Sequence, residues 1–334
     1  MITLEDDELV FRFPEVHEDA VCSISLQRTL RIPDDDRDHP LPPGLGEFPL
    51  RHLDDYARNI PDHWLERGGV IMPMHQAEAM WIEFGGFHGS GYPFAIKIAT
   101  GKINAISGEA WVPNLNADPQ DYVVVPDQPW LDGYCVERGL IRQFVAMPLG
   151  SGYSAEEQLT GKGEHGGIQI VAYPMKASRY QEMRKSRIAE ANVMRCMSVC
   201  ESAEPDMGLA PGGRMKQEIY DDDYGLDAWD QRHPSKCFVT IANSTTWLAI
   251  TGEVPPTTPP SASDYTDAGL PWFELFDADA RALEGAAELQ KLASVSQLGK
   301  KKGEAPLADN NSVDVSRIIN LRKPGNNTVR ESAL

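Results

Sequence analysis

The sequence predicts an α+β fold that is rich in mainly antiparallel β-strands, arranged as a sandwich or an open barrel. Residues 122–125, 141–147 and 167–173 are short runs of β-branched and aromatic residues bounded by Pro or Gly clusters, which is typical of strands joined by turns. The 25 Pro and 28 Gly residues indicate many turns and few long helices. Residues 177–204, which lack both Gly and Pro, predict one linking helix.

These signals divide the chain into four parts. A β-rich domain is expected over residues 1–176, followed by the linking helix over 177–204. A smaller C-terminal α+β segment is expected over 205–296. Residues 297–334 are polar and include a run of three lysines, so we expect a flexible tail there, with the alternative that it folds back on the acidic body. The length of 334 residues suits one large core or two modest ones.

The first part of the chain begins with two predicted strands, at residues 8–13 and 20–27. A short helix is expected over 52–59. Residues 94–107 predict a β-hairpin, because two apolar arms flank a Thr-Gly turn. Residues 75–84, HQAEAMWIEF, fit a helix or a strand, and the two structures place different side chains on one face.

The C-terminal segment also mixes both kinds of element. Residues 236–244 predict a buried strand, and residues 245–252 predict a short helix that Ser244 would cap. Residues 277–294 are rich in Ala, Leu and Glu and predict another helix.

Charge and cysteine content exclude several classes of partner. A net charge of -19 repels phosphate backbones and anionic lipids, so we expect no nucleic-acid or membrane partner. No apolar run approaches the roughly 18 residues of a spanning helix, and the acidic N-terminus is unlike a signal peptide, so a cytoplasmic location is expected. The five scattered cysteines predict reduced thiols. Cys196 and Cys200 are four residues apart on the predicted helix, which favours a buried pair of thiols over the alternative of a ligand pair or redox couple.

A glycine motif occurs at Gly161, Gly163 and Gly166, which match G-x-G-x-x-G. The dinucleotide-binding version of this motif needs a strand before it and a helix after it. Here a predicted strand follows the glycines, so the sequence favours a β-hairpin loop over a pyrophosphate site.

Loop aromatics and amides suggest a binding protein without catalytic activity. The candidate ligand residues are Trp111, Asn114, Asn116, Trp130 and Asp132, since Trp can stack on a sugar or a peptide proline and amides or carboxylates can fix its polar groups. The ligand would be a protein or a polar molecule such as a glycan. The alternative is that these aromatics attach loops to the core. Cofactors and oligomeric state are left open.

A metal-dependent hydrolase or oxygenase is the competing hypothesis. It requires His75, Glu78 and His165 to converge, because two imidazoles and a carboxylate suit Zn²⁺ or Fe²⁺ and leave positions for water or substrate. The alternative is that these residues are solvated polar groups of turns, where such side chains are common.

Six phrases are spread over roughly residues 41–280: RGGVIMPMHQAEAMW, KINAISGE, PQDYVVVPDQPWLDG, IRQFVAMPLGSG, GGRMKQEIYDDDYG and AGLPWF. Together they resemble a family of conserved bacterial and fungal proteins that has no established activity. The resemblance therefore implies no reaction, cofactor or site residue.

Overall fold

The protein is a β-rich α+β sandwich in which two large sheets share one hydrophobic core. The predicted fold class is thus confirmed, and neither sheet of the described residues closes into a barrel. The computed structural model describes residues 1–35, 37–85, 88–187, 207–275, 281–315 and 317–321.

The strands of this part of the chain range from two-residue pairs such as β4 to the ten residues of β16, and most of their residues are buried. In chain order they are β1 (Ile2–Glu5), β2 (Glu8–Arg12), β3 (Val21–Thr29), β4 (Asp38–His39), β5 (Gly44–Glu47), β6 (Arg51–His52), β7 (Val70–Pro73), β8 (Ala79–Phe84), β9 (Phe94–Thr100), β10 (Ile103–Asn104), β11 (Val123–Val125), β12 (Trp130–Leu131), β13 (Gly133–Glu137), β14 (Leu140–Pro148), β15 (Ile168–Pro174), β16 (Met207–Lys216), β17 (Ser235–Ala242), β18 (Trp272–Glu274) and β19 (Ile318–Asn320).

The helices are short. They are α1 (Asp62–Arg67), α2 (Ala155–Thr160), α3 (Ala177–Arg187), α4 (Ser244–Thr251), α5 (Ala262–Asp267), α6 (Ala287–Gln290) and α7 (Val295–Lys302), with 3-10 turns at Leu53–Tyr56, Leu226–Ala228 and Ala308–Asn310. None of the helices that the structure describes is long and apolar enough to cross a membrane.

The first large sheet has the order β1-β2-β3-β8-β14-β16-β4, with β5 paired to β3, β12 to β8 and β13 to β14. The second has the order β10-β9-β15-β17-β7-β6, with β11 paired to β9. Most pairs are antiparallel; β16–β4, β17–β7 and the separate pair β18–β19 are parallel. The predicted hairpin is confirmed as β9 and β10.

One core joins the two sheets. Ile82 of the first sheet and Ile98 of the second belong to the same cluster of buried apolar side chains. A buried polar chain also crosses between them: the Thr100 hydroxyl donates to the Tyr134 hydroxyl at 2.6 Å, and the Tyr134 hydroxyl donates to the Leu209 carbonyl at 3.0 Å. The Tyr134 proton is assigned by elimination, since a carbonyl oxygen can only accept.

Strand pairing joins stretches that the sequence analysis assigned to different parts. β16 and β17 lie in the predicted C-terminal segment 205–296, yet β16 pairs with β14 in the first sheet and β17 pairs with β15 in the second. Residues before and after the linking helix therefore contribute neighbouring strands to both sheets.

Residues 75–84 adopt the strand alternative, because β8 begins at Ala79 and alternates between the core and the outside. Met80, Ile82 and Phe84 are buried, whereas Trp81 is half-buried and faces the other way. This alternation positions the site described below.

Several helix predictions need correction. The first part of the predicted linking helix is present as α3. Residues 188–206, which include Cys196 and Cys200, lie outside the described residues. The cap of α4 is Asn243, whose side chain accepts from the Thr246 N–H at 2.8 Å, so the Ser244 assignment was wrong. The short helix expected at 52–59 is a single 3-10 turn.

The predicted helix at 277–294 was wrong for most of its described length. Only α6 is helical there, and Ala282 instead forms an antiparallel bridge with Tyr220. The alanine and leucine content favours a helix locally, but Gly285 lies at φ +80° against the backbone of β13, where a side chain would clash with Glu137. Tertiary contact overrides propensity in this stretch.

The described part of the predicted tail is seated on the body of the protein. The Ser296 N–H at the start of α7 donates to the buried Asp34 carboxylate at 2.7 Å, and Lys302 donates to the Ser151 carbonyl. Further along, β19 pairs with β18. Regular elements thus continue to Asn320.

Candidate functional site

A cavity of about 280 Å³ lies on the outer side of the first sheet, where β8 and β12 meet the loop before β5. Three aromatic rings, two prolines and one carboxyl group surround it, and we call it the aromatic pocket. Its lining residues are Leu41, Pro42, Pro43, Gly44, Trp81, Trp130, Asp132, Phe273 and Leu321.

Strand register brings the two tryptophans together. Trp130 of β12 pairs with Glu83 of β8, so it lies on the same outward face as Trp81, two residues before Glu83. Both tryptophans are half-buried. Alternation along β8 places Trp81 on the side of the sheet opposite Met80 and Ile82, and the register places Trp130 beside it.

Both backbone groups of Asp132 are hydrogen-bonded, which fixes the position of the residue. Its N–H donates to the Gln217 side-chain oxygen at 3.0 Å, and its carbonyl accepts from the Phe144 N–H at 3.0 Å. The Gln217 amide also donates to the Trp130 carbonyl at 3.2 Å. Gln217, which directly follows β16, therefore holds the backbones of both Asp132 and Trp130.

The Asp132 carboxyl is buried and only partly paired. Asp132 is only 5% exposed, and the Oδ2 atom of its side chain has no hydrogen-bond partner among the described residues. Burial raises the pKa of Asp132 to about 7, and a side-chain hydrogen bond from Trp130 opposes this rise. Near neutral pH the group is therefore close to half ionised.

Folding and the protonation of Asp132 are linked. Because its folded pKa of about 7 exceeds the ordinary value of 3.8, the folded state holds a proton that the unfolded state has already lost. Stability therefore falls as pH rises from about 4 to about 7 and changes no further above that range. At 1.36 kcal/mol per pH unit the full penalty is about 4 kcal/mol. A partner for the carboxylate would relieve it.

A second cavity, of about 250 Å³, adjoins the aromatic pocket. Leu41 and Phe273 line both cavities, and their backbones exchange two hydrogen bonds of 2.8 and 2.9 Å. The second cavity is more polar, since it is lined by Lys216 and Glu274, which form an ion pair at 3.1 Å. The Leu41–Phe273 bridge therefore separates an apolar cavity from a charged one.

The other predicted ligand residues surround a buried ion pair instead. Lys97 pairs with Asp121, donates to the Asn114 carbonyl at 2.6 Å and lies 5.7 Å from the centre of the Trp111 ring. The Asn116 N–H donates to Asp121 at 2.9 Å. These contacts fasten the loop to the second sheet. Of the five residues that the sequence proposed, only Trp130 and Asp132 line the aromatic pocket.

Of the three proposed metal ligands, His75 and Glu78 contact each other, and each has a further partner. Glu78 forms a buried ion pair with Arg28, whose Nε lies 2.7 Å away, and accepts from the His75 N–H at 2.8 Å. The His75 ring donates from Nε2 to the Pro256 carbonyl at 3.0 Å, and burial, with the Arg28 charge beside it, lowers the pKa of His75 to about 4. His165 does not join them, and no group of three or more His, Cys, Asp or Glu in the described ranges could hold a metal ion.

The glycine motif forms a nest of N–H groups that the protein itself fills. The Glu156 carboxylate accepts from the N–H groups of Glu164, His165 and Gly166 at 2.8–2.9 Å. Such nests bind phosphates in other proteins, but this one already holds an anion. Gly161 ends α2 in a left-handed conformation, so the loop joins a helix to β15 and the predicted β-hairpin was wrong.

A larger cavity, of about 630 Å³, is open and acidic. Its acids include Asp222, which accepts from the Tyr122 hydroxyl at 2.6 Å and the Trp229 indole at 2.8 Å. Among the described residues that line it, the one basic side chain is Arg281, which pairs with Asp223. Asp222 and Arg281 thus already have hydrogen-bond partners within the protein, whereas Oδ2 of Asp132 has none among the described residues.

Sequence reasoning missed Trp81, Phe273 and the Leu41–Pro43 segment as pocket residues. The strand alternative for residues 75–84 carried a usable signal, since it places Trp81 on the outer face. Comparisons of the chain with protein-family models, with curated proteins and with solved structures give no match, so the chemistry of the site rests on its geometry.

Proposed function

We propose that this is a non-catalytic binding protein whose aromatic pocket takes a small, largely apolar group bearing one hydrogen-bond donor. The observation that carries the proposal is Asp132, a buried residue that lines an aromatic cavity and whose carboxyl has one oxygen without a partner among the described residues. Buried polar atoms are nearly always paired, and exceptions in native proteins concentrate at functional sites.

The walls of the pocket favour an apolar ligand body. Trp81, Trp130 and Phe273 contribute aromatic rings to the lining, and Leu41 with the adjoining prolines adds aliphatic surface. Burying apolar ligand surface there contributes roughly 25 cal/mol per Å². The volume of about 280 Å³ lies at the small end of ligand sites, which suits one ring or one long side chain.

The sequence suggested a wider ligand class, namely a protein or a polar molecule such as a glycan. The apolar lining and small volume of the pocket favour a narrower one, a single ring or a long side chain with one donor. A protein could still supply such a group from a side chain. No contact among the described residues favours the metal-dependent hydrolase or oxygenase. The acidic net charge of -19 supports a partner other than nucleic acid. The buried free thiols of Cys22, Cys135 and Cys237 are compatible with the cytoplasmic location that we propose.

The test uses 2-phenylethanol, which has one ring and one donor, and follows its binding by NMR shift titration. We expect weak but saturable binding to the wild-type protein. Trp81→Ala and Trp130→Ala should each weaken it at least tenfold, because each removes one aromatic wall. Circular dichroism would check that both variants remain folded.

The matched control is Trp111→Phe, which changes a half-buried tryptophan beside Lys97, outside the aromatic pocket. Its binding of 2-phenylethanol should equal that of the wild type. Binding that survives both pocket substitutions, or a folded wild-type protein that binds neither 2-phenylethanol nor 2-phenylethylamine, contradicts the proposal.

A further inference from the structure

We propose that the group recognised by the aromatic pocket is an alkylammonium, with Asp132 as its counter-ion and the faces of Trp81 and Trp130 around its positive charge. The inference rests on the proposed function and specifies the ligand class. Asp132 is the one charged side chain among the described residues that line the pocket.

Aromatic rings attract cations through their negative faces, and Trp does so most strongly, at up to about 6 Å from the ring centre. The pocket presents two indoles and a phenyl ring beside a carboxylate. An ammonium that keeps at least one N–H meets favourable charge from both sources. An anionic ligand meets unfavourable charge from both.

A neutral donor satisfies only half of what Asp132 lacks. A hydroxyl group could supply the missing hydrogen bond, but it leaves a buried carboxylate without a compensating charge. An ammonium supplies both the donor and the charge. Charge-assisted hydrogen bonds are also about twice as strong as neutral ones.

The surrounding charges do not provide an internal substitute for such a ligand. Glu83, opposite Trp130, is itself acidic and accepts from Ser25 at 3.0 Å and from Gln27 at 3.1 Å. Lys216 lies beyond the Leu41–Phe273 bridge and pairs with Glu274. The causes of the raised Asp132 pKa are burial first, with Trp130 opposing, and include no neighbouring charge.

The same ionisation makes binding depend on pH. An alkylammonium binds the ionised carboxylate, and with a pKa of about 7 the ionised fraction of Asp132 rises about tenfold between pH 6 and pH 8. Aliphatic amines remain protonated over this range, because their pKa lies near 10. Affinity for the amine should therefore rise about tenfold from pH 6 to pH 8.

The experiment compares 2-phenylethylamine with 2-phenylethanol, which have the same ring and chain, by NMR shift titration of the full-length protein at pH 6 and pH 8. We expect the amine to bind at least tenfold more tightly than the alcohol at pH 8. We also expect the amine, and not the alcohol, to gain affinity with pH. Asp132→Asn should abolish both differences. The first two comparisons need no variant, so they hold even if Asp132→Asn folds poorly.

Equal binding of amine and alcohol through the pocket tryptophans overturns the ammonium inference and leaves the proposed function standing. Binding of neither probe by the folded protein overturns both. A third probe, Nα-acetyl-dimethyllysine amide, keeps one N–H on its ammonium group and separates the two sources of an alkylammonium. Tighter binding of this probe than of 2-phenylethylamine assigns the site to a modified lysine side chain, and weaker binding assigns it to a free amine; either result supports the shared chemistry.

Discussion

Replacing Glu78 by Gln is expected to lower the free energy of unfolding by about 3–5 kcal/mol, as is typical when one member of a buried ion pair is removed. The side chains of Arg28 and Glu78 are each 1% exposed, so the substitution leaves the guanidinium buried without its counter-charge. Urea denaturation followed by circular dichroism would measure the change.

Two controls separate this effect from a loss of packing. The double variant Arg28→Met with Glu78→Gln should be more stable than Glu78→Gln alone, because it removes the orphaned charge. Glu284→Gln breaks the exposed pair with Arg138, whose side chain is 56% exposed, and should cost less than about 1 kcal/mol. Similar losses in Glu78→Gln and Glu284→Gln would contradict this explanation.

Replacing Lys97 by Met should also cost about 3–5 kcal/mol, for a related reason. Lys97 is 1% exposed and lies between Asp121, the Asn114 carbonyl and the Trp111 ring. Without it Asp121 loses its cation, and burial, which already raises the pKa of Asp121, then acts unopposed by that charge. Urea denaturation and limited proteolysis of the 108–120 loop would report the loss.

The Lys97 variant also distinguishes the two groups of predicted ligand residues. Binding of 2-phenylethanol, measured under conditions where the variant is folded, should equal that of the wild type, because Lys97 does not line the aromatic pocket. A loss of binding without unfolding would place Trp111, Asn114 and Asn116 in the ligand site after all. Combining Lys97→Met with Asp121→Asn should recover part of the lost stability.

Local patterns predicted the strands, because the period of side-chain alternation and the turn residues are properties of neighbouring residues. Strand partners could not be predicted in this way. β12 and β8 are far apart in the sequence, and their pairing is what brings Trp130 beside Trp81. Local patterns were enough to propose Trp130 and Asp132 as ligand residues. Trp81 and Phe273 were missed, because they reach the pocket through pairings between distant parts of the chain.

The metal hypothesis had the same origin. His75 and Glu78 are close in sequence and do contact each other, but the group that completes them is Arg28, from β3. A cation paired with the carboxylate leaves it unavailable to a metal ion. Likewise Glu156 fills the glycine-rich nest from α2, just before the loop. In both places a partner that the motif does not include determines the chemistry.

Asp132 differs from these groups, because no described residue completes it. Its burial lowers stability above pH 4, and a cationic ligand would offset that cost by pairing with the carboxylate. Sites that bind ligands commonly carry such local destabilisation. The buried Asp132 carboxyl, with one oxygen unpartnered among the described residues, is therefore central to the proposed ligand class.

The most direct test is a ¹³C NMR titration of the protein labelled at aspartate carboxyl carbons, with Asp132→Asn assigning the resonance. We predict a midpoint near pH 7 for Asp132 in the free protein, and a lower midpoint when 2-phenylethylamine is bound, because the cation favours the ionised form. A midpoint near the ordinary value of 3.8 in the free protein would show that the carboxyl is already solvated or paired, and would contradict the account.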